Sequence, residues 1–228
     1  MIIASLLPPL LINIFFALKH LYKHTIKKSN LTYIKLGWHL SITNSIHFLP
    51  KSIDKIFIGL MLPFENLAVY SFAILVPDQL NSLTKQIIPL FFPKISKLTL
   101  KDFKYTFLKK FILAELLILI IIVLYFLLSP FIFMTFFRSY QDSILLSQIY
   151  ALSLLSLPSV LFGIIYQRFK IHNYLYIQEL IPTTIMIILS IILIAPLGIL
   201  GIIISQVISR FIFILISLIL FHFYRNKI

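Results

Sequence analysis

Five ionisable side chains sit inside two apolar runs that follow one another along the chain. Lys51, Asp54 and Lys55 lie in the first run, and Asp78 and Lys85 in the second. In the first, Asn44, His47, Lys51, Asp54 and Lys55 recur at helical spacing and form one polar stripe. In the second, Ser71, Asp78, Ser82 and Lys85 form a similar stripe. A third stripe, Gln206, Arg210 and Ser217, lies near the C-terminus. A charged group at the centre of a bilayer costs at least ~2.5–3.5 kcal/mol and therefore faces a bundle interior or a wet cavity. The interior set is four basic groups (Lys51, Lys55, Lys85, Arg210) against two acidic ones (Asp54, Asp78). A surplus of buried cation suits an anionic ligand such as a phosphate. The competing reading is that the carboxylates pair with neighbouring lysines or Arg210 and pin the helices together.

The elements that hold these groups are membrane helices. The chain is 60% hydrophobic and 12% charged, whereas a soluble domain is about half apolar and a quarter charged. Mean hydropathy is +1.03. A bilayer core of roughly 30 Å needs about 20 apolar residues per helix. Seven segments qualify: Ile2–Leu18, Leu36–Leu62, Leu67–Phe92, Phe107–Phe137, Ile144–Phe169, Leu175–Ile194 and Leu197–Phe223. The last two are joined by the tight turn Ala195-Pro196-Leu197-Gly198. The expected fold is an all-α polytopic membrane bundle of about seven transmembrane helices.

The net charge of +13 does not point to nucleic acid, because the basic residues fall in short clusters between apolar runs. Lys19, Lys23, Lys27, Lys28 and Lys35 form the first cluster, and Lys94, Lys97, Lys101, Lys104, Lys109 and Lys110 the second. Arg168 and Lys170, then Arg225 and Lys227, follow in alternate loops. Short loops rich in Lys and Arg are cytoplasmic. This places the C-terminus inside and the N-terminus of the chain outside. The clusters are membrane anchors that also suit anionic lipid headgroups. Met1 opens directly into an apolar run, with no basic n-region and no clear cleavage site, which fits the back part of a longer protein.

Other chemistry finds little support. With no cysteine there is no disulfide or thiolate chemistry. His39 and His47 lack a carboxylate at ligand spacing, so no metal or other cofactor is expected. No Walker-type loop or nucleophile elbow occurs. An enzyme is not expected. Glu115, just past Lys109 and Lys110, reads as a snorkelling side chain, and Glu179 as a helix-end or coupling carboxylate.

The order of short motifs carries a resemblance. Ser52-Ile53-Asp54-Lys55-Ile56-Phe57-Ile58-Gly59 is followed by Glu65-Asn66-Leu67-Ala68-Val69-Tyr70-Ser71-Phe72-Ala73 and then Val76-Pro77-Asp78-Gln79-Leu80. Leu90-Phe91-Phe92-Pro93-Lys94-Ile95-Ser96-Lys97, the run Leu152 to Pro158 and the turn at Ala195 to Gly201 come next. This order resembles the second half of Wzx/RfbX-type polysaccharide and O-antigen flippases of the multidrug/oligosaccharidyl-lipid/polysaccharide (MOP) superfamily. The resemblance implies two helix bundles around a cavity that opens alternately to the two sides of the cytoplasmic membrane of a prokaryote. It implies a polyprenyl-phosphate-linked oligosaccharide as substrate. Residues 1–30 would be the last helix of a first bundle plus a cytoplasmic loop, and residues 31–228 the C-terminal six-helix bundle. Lys51, Asp54, Lys55, Asp78 and Lys85 would line that bundle's side of the cavity. The first bundle is not in this sequence, so the chain would need it, or a second chain, as partner. Alternative readings are a drug/cation antiporter or peptidoglycan-precursor flippase of the same superfamily, and a non-transporting remnant or assembly subunit.

Overall fold

A computed structural model describes residues 50–87, 100–168 and 171–226. All of them fall in one unit spanning Thr43–Ile228. The described residues are almost all helical and contain no strand, as an apolar chain requires when its own backbone must satisfy every N–H and C=O. The expected helix Ile2–Leu18 lies outside the described residues.

The helices are α1 (Pro50–Met61), α2 (Phe64–Ile87), α3 (Leu100–Phe136), α4 (Ser143–Ala151), α5 (Val160–Arg168), α6 (His172–Leu197) and α7 (Ile199–Asn226). Pro63 separates α1 from α2, and its carbonyl accepts the Asn66 N–H at 3.0 Å as α2 begins. A 3-10 turn, Arg138–Tyr140, follows α3. Phe72 stacks on Tyr140 there, with ring centroids 3.9 Å apart, closing this loop onto α2.

The segment Ile144–Phe169, expected as one helix, is broken. After α4 the chain tightens into a 3-10 stretch, Leu152–Ser156, before α5 begins. Pro158 has no N–H, and its ring would clash with the Leu154 carbonyl of a continuous α-helix. The final hairpin is tighter than expected. α6 continues through Pro196 to Leu197, and the turn reduces to Gly198, whose φ of 57° suits glycine.

Among the described residues four helical stretches are long and apolar enough to cross a membrane: Lys109–Phe136, Ser143–Gln167, Asn173–Leu197 and Ile199–Phe223. The chain is a multi-pass membrane protein on this ground. The broken helix is the central one, with 61% of its window buried against 22% for α3. α2 falls short on composition, since Asn66, Asp78, Gln79, Asn81 and Lys85 dilute its apolar residues.

The α6–α7 hairpin runs the length of the core. Near its turn, Ile194, Ile202 and Ile203 pack with Ile58, Tyr70 and Tyr150. At its far end Leu175, Leu220 and Phe221 pack with Phe111, Phe162 and Tyr166. Polar contacts hold the hairpin together: Ser190 and Ser205 share a hydrogen bond of 2.6 Å, and Ser209 donates to the Pro182 carbonyl at 2.9 Å. Such bonds are worth about 0.6 kcal/mol on average in a bilayer and up to ~1.7 kcal/mol. Between the two apolar ends the facing side chains are polar, and there the bundle is hollow.

Candidate functional site

The hollow is a cavity of about 240 Å³. α1 contributes Asp54 and Lys55, α2 Asp78 and Asn81, and α4 Tyr150. α6 contributes Glu179, Pro182, Thr183 and Met186, and α7 Gln206, Ser209, Arg210 and Phe213. The spacing is that of helix faces: Asp78 and Asn81 are three apart, and Gln206, Arg210 and Phe213 share one stripe. Arg210 lies near the middle of the apolar span Ile199–Phe223, so the cavity sits at mid-depth. Water occupies about 30 Å³ per molecule in the liquid, and drug-sized ligands use pockets of roughly 300 Å³ or more. The cavity therefore has room for several waters or for one phosphate-sized headgroup, not for an oligosaccharide.

Each aspartate is held by a tyrosine. Asp54 is 3% exposed, and its Oδ2 accepts hydrogen bonds from the Tyr70 hydroxyl and from Gln206 Nε2, the latter at 2.7 Å. Gln206 Nε2 also lies 2.7 Å from the Tyr70 oxygen, closing a triangle between α1, α2 and α7. Asp54 Oδ1 accepts the Lys55 backbone N–H at 2.7 Å. Deeper along α2, the Tyr150 hydroxyl donates to Asp78 Oδ1 at 3.0 Å. Asn81 Oδ1, one turn further on, is buried with no hydrogen-bond partner. A buried acceptor in that condition calls for a water, a cation or a ligand donor.

Of the residues singled out in the sequence, Asp54, Lys55, Asp78 and Arg210 meet at this one cavity. Asn44 and His47 lie outside the described residues, as do the side chains of Lys51 and Lys85, although the backbone of both lysines is helical. The expected cationic surplus is not what the described lining carries. Three carboxyl groups, Asp54, Asp78 and Glu179, face two basic groups, Lys55 and Arg210. The described lining adds Glu179, which lies inside α6 on the wall facing α7, and leaves Lys51 and Lys85 out of the tally because their side chains are outside the described residues. The second stripe is also rotated. Asn81, not Ser82, follows Asp78 into the cavity; Ser82 is exposed, and the Ser71 hydroxyl donates to the Leu67 carbonyl of its own helix. Ser217 leaves the third stripe and accepts a 2.7 Å hydrogen bond from Gln178.

Tyr70, Tyr150, Asn81 and Thr183 were not foreseen. A tyrosine in an apolar run reads as interfacial, and the available signal was its depth: a buried hydroxyl at mid-span must find a partner. Among the described residues no group of three or more His, Cys, Asp or Glu side chains is arranged to hold a metal. Comparison with protein-family models, curated proteins and solved structures gave no match.

Proposed function

We propose that the chain is one half of a membrane transporter. In this reading the mid-depth cavity is one wall of a path for a polyprenyl-phosphate-linked oligosaccharide crossing the cytoplasmic membrane of a prokaryote. The observation that carries the proposal is the convergence of five ionisable side chains, Asp54, Lys55, Asp78, Glu179 and Arg210, on a cavity midway along apolar spans. Ionisable groups gathered at this depth mark substrate or ion pathways in membrane proteins. Helix packing alone needs only small residues and hydroxyls, which α6 and α7 already use.

The size of the cavity suits the division of labour that such a substrate needs. Arg210 and Lys55 would hold the phosphate through charge-assisted hydrogen bonds. The sugar would need the space of a second wall, and the lipid tail would stay in the bilayer. The seven-helix arrangement, the cytoplasmic C-terminus and the likeness to the second bundle of MOP transporters belong to the same proposal. So does the first bundle or partner chain that would complete the site, since repeat-built transporters bind substrate at the repeat interface. The test is a flip assay in vesicles carrying the assembled transporter and a fluorescent lipid-phosphate-linked sugar. Arg210→Ala and Lys55→Ala should each slow flipping about 10- to 100-fold, the worth of a hydrogen bond to charge. Wild-type rates in both would overturn the reading.

A second reading, a drug or cation antiporter of the same superfamily, is favoured by the three carboxyls of the described lining. It predicts that Glu179→Gln and Asp78→Asn abolish efflux of a cationic dye.

A further inference from the structure

The central helix carries a 3-10 segment immediately after a cavity residue. Leu152–Ser156 is a run of five 3-10 residues, and such runs rarely exceed three or four. The i→i−3 pattern continues beyond it. Leu157 N–H donates to the Leu154 carbonyl at 3.0 Å, Ser159 to Ser156 at 3.2 Å, and Phe162 to Ser159 at 3.1 Å. The residue spacing matches this backbone. Ser147, Tyr150, Ser153, Ser156, Ser159 and Phe162 recur every third position, and all six are buried. Residues three apart eclipse in a 3-10 helix but drift by about 60° in an α-helix. Within the break, Ser153, Ser156 and Ser159 keep this line, while Ser147 and Tyr150 belong to α4 and Phe162 to α5.

The two sides of the break make their hydrogen bonds to different elements, although both pack on the α6–α7 hairpin. α4 is tied to α2, where Ser143 donates to the Val69 carbonyl at 2.9 Å. α5 is tied to α6 and α7: Gln178 donates to the Ser159 carbonyl at 3.3 Å, and Tyr166 to the Ser217 carbonyl at 3.1 Å. The Ser159 hydroxyl is buried between them with no hydrogen-bond partner. An unmet hydroxyl at this point leaves the 3-10 form short of one hydrogen bond.

We propose that residues 152–162 form a winding switch that moves the Tyr150 hydroxyl on and off Asp78 as the segment passes between 3-10 and α forms. Each residue that rewinds turns α4 against α5 by about 20° and shortens the helix by about 0.5 Å. At the radius of a tyrosine hydroxyl this turn is a displacement of roughly 3 Å, one hydrogen-bond length. One rewound residue thus suffices to release Asp78 into the cavity beside Asn81. The switch rests on the transporter reading for its purpose, but its geometry is measured independently of transport.

The chain has no cysteine, so paired spin labels go where they are placed. One pair joins α4 to α6 through the exposed positions Leu145 and Ile192, and a control pair joins α6 to α7 through Ile192 and Ile219. The full chain in lipid vesicles is compared with Pro158→Ala, which removes the ring clash, and with Ser156→Ala, which removes the hydroxyl that bonds the Ser153 carbonyl at 2.9 Å. Rewinding shifts the Leu145–Ile192 distance by about 3 Å or more in either variant and leaves the control pair unchanged. Unchanged distances in both variants, or equal shifts in the control pair, overturn the switch. A shift here, with no flipping of lipid-linked sugar by the assembled wild-type transporter, keeps the switch and removes the transporter reading.

Discussion

Asp54 shows how a carboxyl is kept inside this bundle. Its partners are a tyrosine, a glutamine and a backbone N–H rather than a lysine. Tyr70→Phe and Gln206→Leu each remove a donor from the same oxygen. Each should cost about 1–2 kcal/mol in detergent unfolding, and the double variant less than the sum because the donors share Asp54 Oδ2. Ser82→Ala, at an exposed position, should stay within about 0.5 kcal/mol of wild type. Charge made half of this site legible: Asp54, Asp78 and Arg210 stand out because nothing else in an apolar run justifies them. The hydroxyls that hold them were not legible, because tyrosine is equally at home at a membrane surface. Glu179 was visible, but its depth in the helix turned on a helix start three residues before the expected one.

At the scale of elements, the hairpin of α6 and α7 is the rigid part. A Cβ on Gly201 would sit 2.2 Å from the Leu193 carbonyl oxygen, which is backbone and cannot swing aside. Gly201→Ala should therefore push the two helices apart and cost about 1–3 kcal/mol. Gly198→Ala meets no neighbour and pays only for a backbone conformation (φ 57°, ψ −131°) that side chains rarely adopt, about 1–3 kcal/mol. Chemical unfolding of the two variants side by side separates close packing from backbone strain. The turn was legible from Pro196 and Gly198. The break in the central helix was not, although Pro158 and the serines at every third position were in view. Hydropathy averages over a window, and a helix of 3.0 residues per turn is as apolar as one of 3.6.

For the whole molecule, apolar length identifies the membrane and polar placement identifies the interior. α3 turns Ile112, Leu116, Ile120, Leu124 and other large side chains outward, as lipid contact requires. α2 has too many polar residues to stand in lipid alone and is sheltered because its stripe meets α4 and the cavity. Of the three expected spans beyond the four found among the described residues, Ile2–Leu18 and the first half of Leu36–Leu62 lie outside those residues, and α2 is too polar to qualify. Transport through this bundle requires the cavity to be wet at mid-depth. The most direct test is single-cysteine labelling of the cysteine-free chain in vesicles of both orientations with a membrane-impermeant thiol reagent. Thr183→Cys and Asn81→Cys, in the cavity, should react readily from at least one side, while Leu124→Cys and Ile120→Cys, on the lipid face of α3, should not. Cavity cysteines as inert as the lipid-facing ones from both sides would contradict a water-filled site and, with it, the transport reading.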